Sequence, residues 1–134
     1  MNPETRNLNA HPIDIWHRLI ETGDAAGLDA LLAEEVVFHS PVVHAPQVGK
    51  EITKKYLSAA FLVFKQPSFQ YIREIRSDHD AMLEFQVEIN HILVNGVDLI
   101  KWDAAGKITD FKVMIRPLKA VNLIHQLMSK ALGL

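Results

Sequence analysis

The sequence predicts an α+β domain: a cone-like, curved, mixed or antiparallel sheet wrapped around N-terminal helices, with an additional C-terminal helix. Three observations carry the prediction. Apolar residues recur mainly at helical spacing up to Pro67, the period then changes to two, and a wide helical apolar face follows Pro117.

In chain order, residues 1–10 read as a frayed lead-in. From Pro12, a good first-turn residue, Ile13, Trp16, Leu19 and Ile20 recur at helical spacing until Gly23 stops the pattern. Asp24 reads as the N-cap of a second, short helix with Leu28, Leu31 and Leu32 on one stripe. Val36, Val37 and Phe38 then switch to strand chemistry, and Pro41 ends that strand. From Gly49 a third helix places Ile52, Tyr56, Leu57, Ala60, Phe61 and Phe64 on one face, and Pro67 closes it.

Residues 69–76 and 82–94 read as strands. In the second, Leu83, Phe85, Val87, Ile89, His91 and Leu93 form the inward row. Asn95-Gly96 is a strong hairpin signal, because a type I′ turn needs positive φ at both of its central residues. That turn would set Leu93 opposite Asp98 and His91 opposite Ile100. Residues 103–106 make the next turn, and Phe111, Val113 and Ile115 alternate in the last strand. Pro117 opens a final helix with Leu118, Val121, Ile124, Leu127, Met128 and Leu132 on one face. Helices grouped on one face of a curved sheet leave an apolar pocket between the layers, and function is expected there.

Length and charge narrow the function. The chain has 134 residues, 49% of them hydrophobic, with 14 basic against 16 acidic residues. It reads as one domain, residues 1–134, able to bury a core without metal or disulfide help. The near-neutral balance gives no footprint for nucleic acid. No apolar run approaches the ~20 residues of a membrane span, and no signal-peptide pattern opens the chain. The absence of Cys removes thiolate chemistry and fits a cytoplasmic protein. The seven His show no metal-ligand spacing, so no metal is expected. No phosphate-binding glycine loop occurs, and no cofactor is expected.

Asp98 is the sharpest candidate. A carboxyl on an apolar face would be desolvated, which favours its neutral, hydrogen-donating form. A satisfied structural Asp, or a register that turns it to solvent, stays open at this point. His91 would be its diagonal neighbour. The indole N–H of Trp16 needs an acceptor, either a ligand oxygen or backbone. Phe38, Tyr56, Phe61, Phe85, Val87, Trp102 and Phe111 are the expected apolar lining, with Ser40 as a polar contributor.

These features, with Asp98-Leu-Ile-Lys-Trp-Asp-Ala-Ala-Gly-Lys-Ile108, resemble the nuclear-transport-factor-2-like superfamily in its ketosteroid isomerase and SnoaL-like polyketide cyclase branch. The resemblance covers residues 12–117. It implies that Asp98 stands where the isomerase keeps a protonated Asp that donates to the substrate oxyanion. Trp16 falls at the oxyanion-hole Tyr, Leu57 at a supporting Tyr, and Ser40 at the Asp general base. A serine hydroxyl is no base near neutral pH, so this chain lacks that part of the isomerase mechanism. Three readings follow. In one, the protein binds an apolar, steroid-like or polyketide-like ring ketone and performs proton-transfer chemistry, such as isomerisation, cyclisation or dehydration, with Asp98, Ser40 and His91 as catalytic candidates. In another it is a catalytically silent ligand-binding or protein-interaction module. In the third it is a subunit of a larger complex, by analogy with other members of the superfamily, with the face bearing Glu84, Gln86 and Glu88 as the contact. A homodimer through that same convex sheet face is expected.

Overall fold

The computed structural model describes residues 11–133. The expected frayed lead-in, residues 1–10, lies outside them. Helix α1 spans Pro12–Thr22; the His11 ring caps it by accepting from the Ile13 N–H at 3.1 Å, and Gly23 ends it in the left-handed conformation, φ 69°. Asp24 accepts from the Ala26 N–H, and one 3₁₀ turn leads into the short helix α2, Leu28–Leu31. Strand β1, Leu32–His39, begins where the second helix was expected to end, so Leu32 is its first residue. Strand β2 is the pair Gln47–Val48, and helix α3 runs Lys50–Phe64 after Gly49.

The remaining strands are β3 (Gln70–Arg76), β4 (Asp80–Ile89), β5 (Ile92–Trp102) and β6 (Ile108–Arg116), followed by helix α4, Leu118–Ala131. The sheet order is β2-β1-β6-β5-β4-β3, with β1 parallel to β6 and every other pair antiparallel. This is the mixed, open sheet of an α+β fold. Its helices divide the core in two. Ile13, Trp16, Leu28, Leu57 and Phe111 belong to one cluster, under α1 and α3. The other is closed by α4, whose Ala120, Ile124 and Met128 pack with Val87, Ile89 and Val94.

The β4–β5 turn is not Asn95-Gly96. It is Asn90-His91, with φ 51° and 66°, the positive pair a type I′ turn requires. Pairing explains the choice. With the turn at 90–91, every residue of β4 finds a partner on β5, whereas a turn at 95–96 would leave the first half of β4 without one. Gly96 has a different role: it pairs with Phe85, and a Cβ there would meet Phe85 Cζ at 2.4 Å. The glycine lets the phenylalanine ring lie flat on the strand.

Candidate functional site

Asp98 sits in the middle of β5, flanked by Leu83 on β4 and Val113 on β6, and is only 6% exposed. Moving the turn shifts the pairing by an even number of residues, so Asp98 keeps the inward face that the alternation gives it. Tyr71 reaches it from β3, two strands away. The Tyr71 hydroxyl donates to Asp98 Oδ2 at 2.6 Å, and the Trp16 indole donates to that hydroxyl at 2.9 Å. The direction is fixed, because an indole N–H can only donate and the tyrosine proton is then free for the carboxylate.

Asp98 Oδ1 has no hydrogen-bond partner among the described residues, and Asp98 lines a small cavity. The wall is apolar, with Trp16, Leu57, Phe61, Phe85 and Phe111 prominent, and the volume is about 40 Å³. Burial pushes the Asp98 carboxyl up to about 7, and the Tyr71 hydrogen bond pulls the other way without cancelling it. Burial and the facing carboxylate raise the Tyr71 phenol well above its ordinary range, so it stays a donor. A carboxyl so placed has one oxygen anchored and the other without a hydrogen bond among the described residues, and a proton affinity near neutral pH.

Helix α1 is held over this relay by polar contacts at its rim. His17 contacts Glu74 at 2.5 Å, Arg76 donates to Asp14 at 2.7 Å, and the His17 ring stands edge-on to Tyr71 at 5.1 Å. The Arg76 hydrogen bond holds the Asp14 carboxyl below its ordinary value. Next to the cavity lies an outer chamber of about 230 Å³, with Glu21, Lys65 and Gln66 at its rim.

Trp16, Phe61, Phe85 and Phe111 of the expected lining surround Asp98. The others are elsewhere. Phe38 packs behind the wall against Tyr56 and Phe111, at 5.5 and 6.1 Å between ring centres. Val87 is in the second core cluster, and Trp102 packs against the His11 ring at 5.0 Å. His91 is exposed at the β4–β5 turn and is not a neighbour of Asp98, because the hairpin turns there. Ser40 and Tyr56 line a separate cavity of about 70 Å³ with His125 and Ser129, and Ser40 Oγ accepts from the Val42 N–H at 3.1 Å. His39 faces Asp110 at 3.0 Å. The Trp16 indole, expected to meet a ligand oxygen or backbone, donates to the Tyr71 hydroxyl. The signal for Tyr71 is in the sequence: Phe69 and Tyr71 share a row, and an aromatic with a polar tip on an inward row needs a partner.

Among the described residues no group of three or more His, Asp or Glu is placed to hold a metal ion, and no helix is long and apolar enough to cross a membrane. Residues 13–111 match the SnoaL-like domain family. The chain is similar to a steroid delta-isomerase from Pseudomonas aeruginosa at 32% identity, with 91% of this chain and 89% of that one covered and a TM-score of 0.86. An NTF2-like protein from Mesorhizobium loti aligns at 22% identity over 79% of this chain and 91% of that one, TM-score 0.67. A SnoaL-like polyketide cyclase, so described for Jannaschia sp. CCS1, shares the fold at 9% identity, with 88% and 91% covered and a TM-score of 0.65. No curated protein matches the chain.

Proposed function

The chain belongs to the SnoaL-like domain family, and from that premise we propose that it binds an apolar small molecule with one polar oxygen and moves a proton on it, with Asp98 as the acid-base group. The observation that carries this reading is the placement of the Asp98 carboxyl: buried in the wall of an apolar cavity, with Oδ2 anchored by Tyr71, so that burial raises its proton affinity to about 7. The protonated form donates to a carbonyl or leaving oxygen. The ionised form, stabilised by the Tyr71 donor, removes a proton from carbon. One residue can therefore take a proton and return it, and an isomerisation or dehydration needs no carboxylate at Ser40.

A β,γ-unsaturated cyclohexenone in deuterium oxide tests this. The wild-type chain is expected to convert it to the conjugated ketone, the proton removed by Asp98 being returned from the same carboxyl or exchanged there with solvent deuterium, and Asp98→Asn should lower the rate by about 10²–10⁴-fold. Binding without turnover or exchange would favour the second reading, a catalytically silent binder, which the separation of Ser40 from the Asp98 cavity supports. The dimer belongs to the same proposal. The outer sheet face exposes Met114 on β6 (51%) and Ile75 on the edge strand β3 (59%), beside the Arg73–Glu84 and Lys101–Asp80 ion pairs. Such a face suits a second copy. Sedimentation at micromolar concentration tests it, and a monomer mass overturns it.

A further inference from the structure

The cavity at Asp98 is too small for the ligand just described. Its 40 Å³ is well below the ~150 Å³ that accommodates a benzene-sized guest. The outer chamber, at about 230 Å³, is large enough for a ring. Ile20, Phe61, Phe64 and Phe69 line both spaces, so the partition between them is one layer of side chains thick. Phe64 and Phe69 stand at the two ends of a short turn closed by Gln66 N–H to Phe64 O at 2.8 Å and Phe69 N–H to Gln66 O at 3.1 Å. Their ring centres are 6.3 Å apart, both are half-buried, and Phe69 stacks on Phe85 at 5.5 Å. At the far end of the sheet α4 buries Ala120, Ile124 and Met128 in the second core cluster.

We propose that the outer chamber is the second half of the ligand site and that Phe64 and Phe69 are the gate between the halves. The ligand is then an elongated, flat, largely apolar molecule whose polar oxygen meets Asp98 while its far end rests between α1 and α3. Flatness follows from passage between two aromatic rings, and length from a site that takes in both spaces. This rests on the acid-base reading of Asp98, and it adds the shape of the ligand and its route of access. Rotation of exposed or half-buried aromatic side chains is fast enough to admit a ligand without unfolding either helix.

Phenol, 2-naphthol and 4-phenylphenol form a length series with one hydroxyl each. Titrated into the full chain and followed by calorimetry and by the Trp16 indole resonance, affinity should rise along the series. Phe64→Ala should speed association of 4-phenylphenol by about tenfold or more, a change within the span of one site's variants. Leu127→Trp, on the α3–α4 surface, should leave that rate unchanged. Phe64→Leu gives the same direction with less loss of packing should the alanine variant fold poorly. Equal affinity across the series, no binding of 4-phenylphenol by wild type or variant, or a rate that follows Leu127 and ignores Phe64 overturns the two-chamber site. Association that depends on Phe64 while the Asp98 carboxyl titration stays unmoved by the bound probe would overturn the acid-base reading and leave the two chambers standing.

Discussion

Tyr71 and Asp98 stand two strands apart on the inner face of the sheet, joined by a hydrogen bond of 2.6 Å from the hydroxyl to Oδ2. The bond opposes the rise in carboxyl pKa that burial imposes, and the Trp16 indole fixes its direction. Asp98 is thereby held near the point where it can lose or accept a proton at neutral pH. Its behaviour is open to direct measurement.

Asp98 is expected to titrate near pH 7 in the carboxyl ¹³C spectrum, against about 4 for an unperturbed Asp. A raised carboxyl pKa means that the folded state keeps a proton which the unfolded state has lost. The stability contribution is therefore full below the unfolded pKa and is lost as pH rises through about 7. Between those values the slope is about −1.4 kcal/mol per pH unit for one proton. Urea titrations of wild type and Asp98→Asn should differ by that slope, because Asn keeps the shape and cannot ionise. Parallel curves would mean that Asp98 is solvated.

Tyr71→Phe removes the donor and leaves the ring. The Asp98 pKa should then rise above the wild-type value, since the hydrogen bond that stabilises its carboxylate is lost, while the Trp16 indole loses its acceptor at every pH. The cost should grow with pH, reaching about 1.5–3 kcal/mol where Asp98 is ionised in the parent, the usual worth of a hydrogen bond to a charged group. A variant with unchanged carboxyl titration would show that the Tyr71 bond does not set the Asp98 proton affinity.

Gly96→Ala tests the floor of the cavity. The new Cβ would lie 2.4 Å from Phe85 Cζ and 2.8 Å from the Met114 carbonyl oxygen, so the ring must move and backbone crowding remains. A loss of about 1–3 kcal/mol is expected, as for other overpacked core positions. Near-ultraviolet circular dichroism should change with it, because Phe85 contacts Phe64, Phe69 and Tyr71. Phe85→Leu in the same chain should recover part of the loss. Thermal or urea denaturation checks both.

The inward placement of Asp98 was legible because side-chain alternation has a period of two and survives any even slip of register. The turn is not fixed by local chemistry: Asn95-Gly96 and Asn90-His91 both suit positive φ, and only the full pairing of β4 with β5 decides between them. Tyr71 could be assigned a face but not a reach, since its partner lies two strands away in space and 27 residues away in sequence. Phe38 and Trp102 were legible as buried aromatics, while the side of the wall they occupy depends on how the helices settle on the sheet.

Ser40 gives the sharpest test of how the site differs from the one the isomerase resemblance implies. If Ser40 occupied the place of a working base, Ser40→Asp would set a carboxylate close to Asp98, and two carboxylates in one apolar space would push the Asp98 pKa further up. The structure sets Ser40 in another cavity, with Tyr56, His125 and Ser129, and its oxygen accepts from the Val42 N–H. An Asp side chain can accept the same bond, so the loop should survive the change. Ser40→Asp should therefore leave both the Asp98 carboxyl titration and the exchange rate on the cyclohexenone within about twofold of wild type, far short of the ~10²–10⁴ that a positioned base supplies. A rise in the Asp98 pKa together with a large gain in rate would mean that the two cavities join when a ligand is bound, and that the proton chemistry uses two carboxylates where the present geometry offers one.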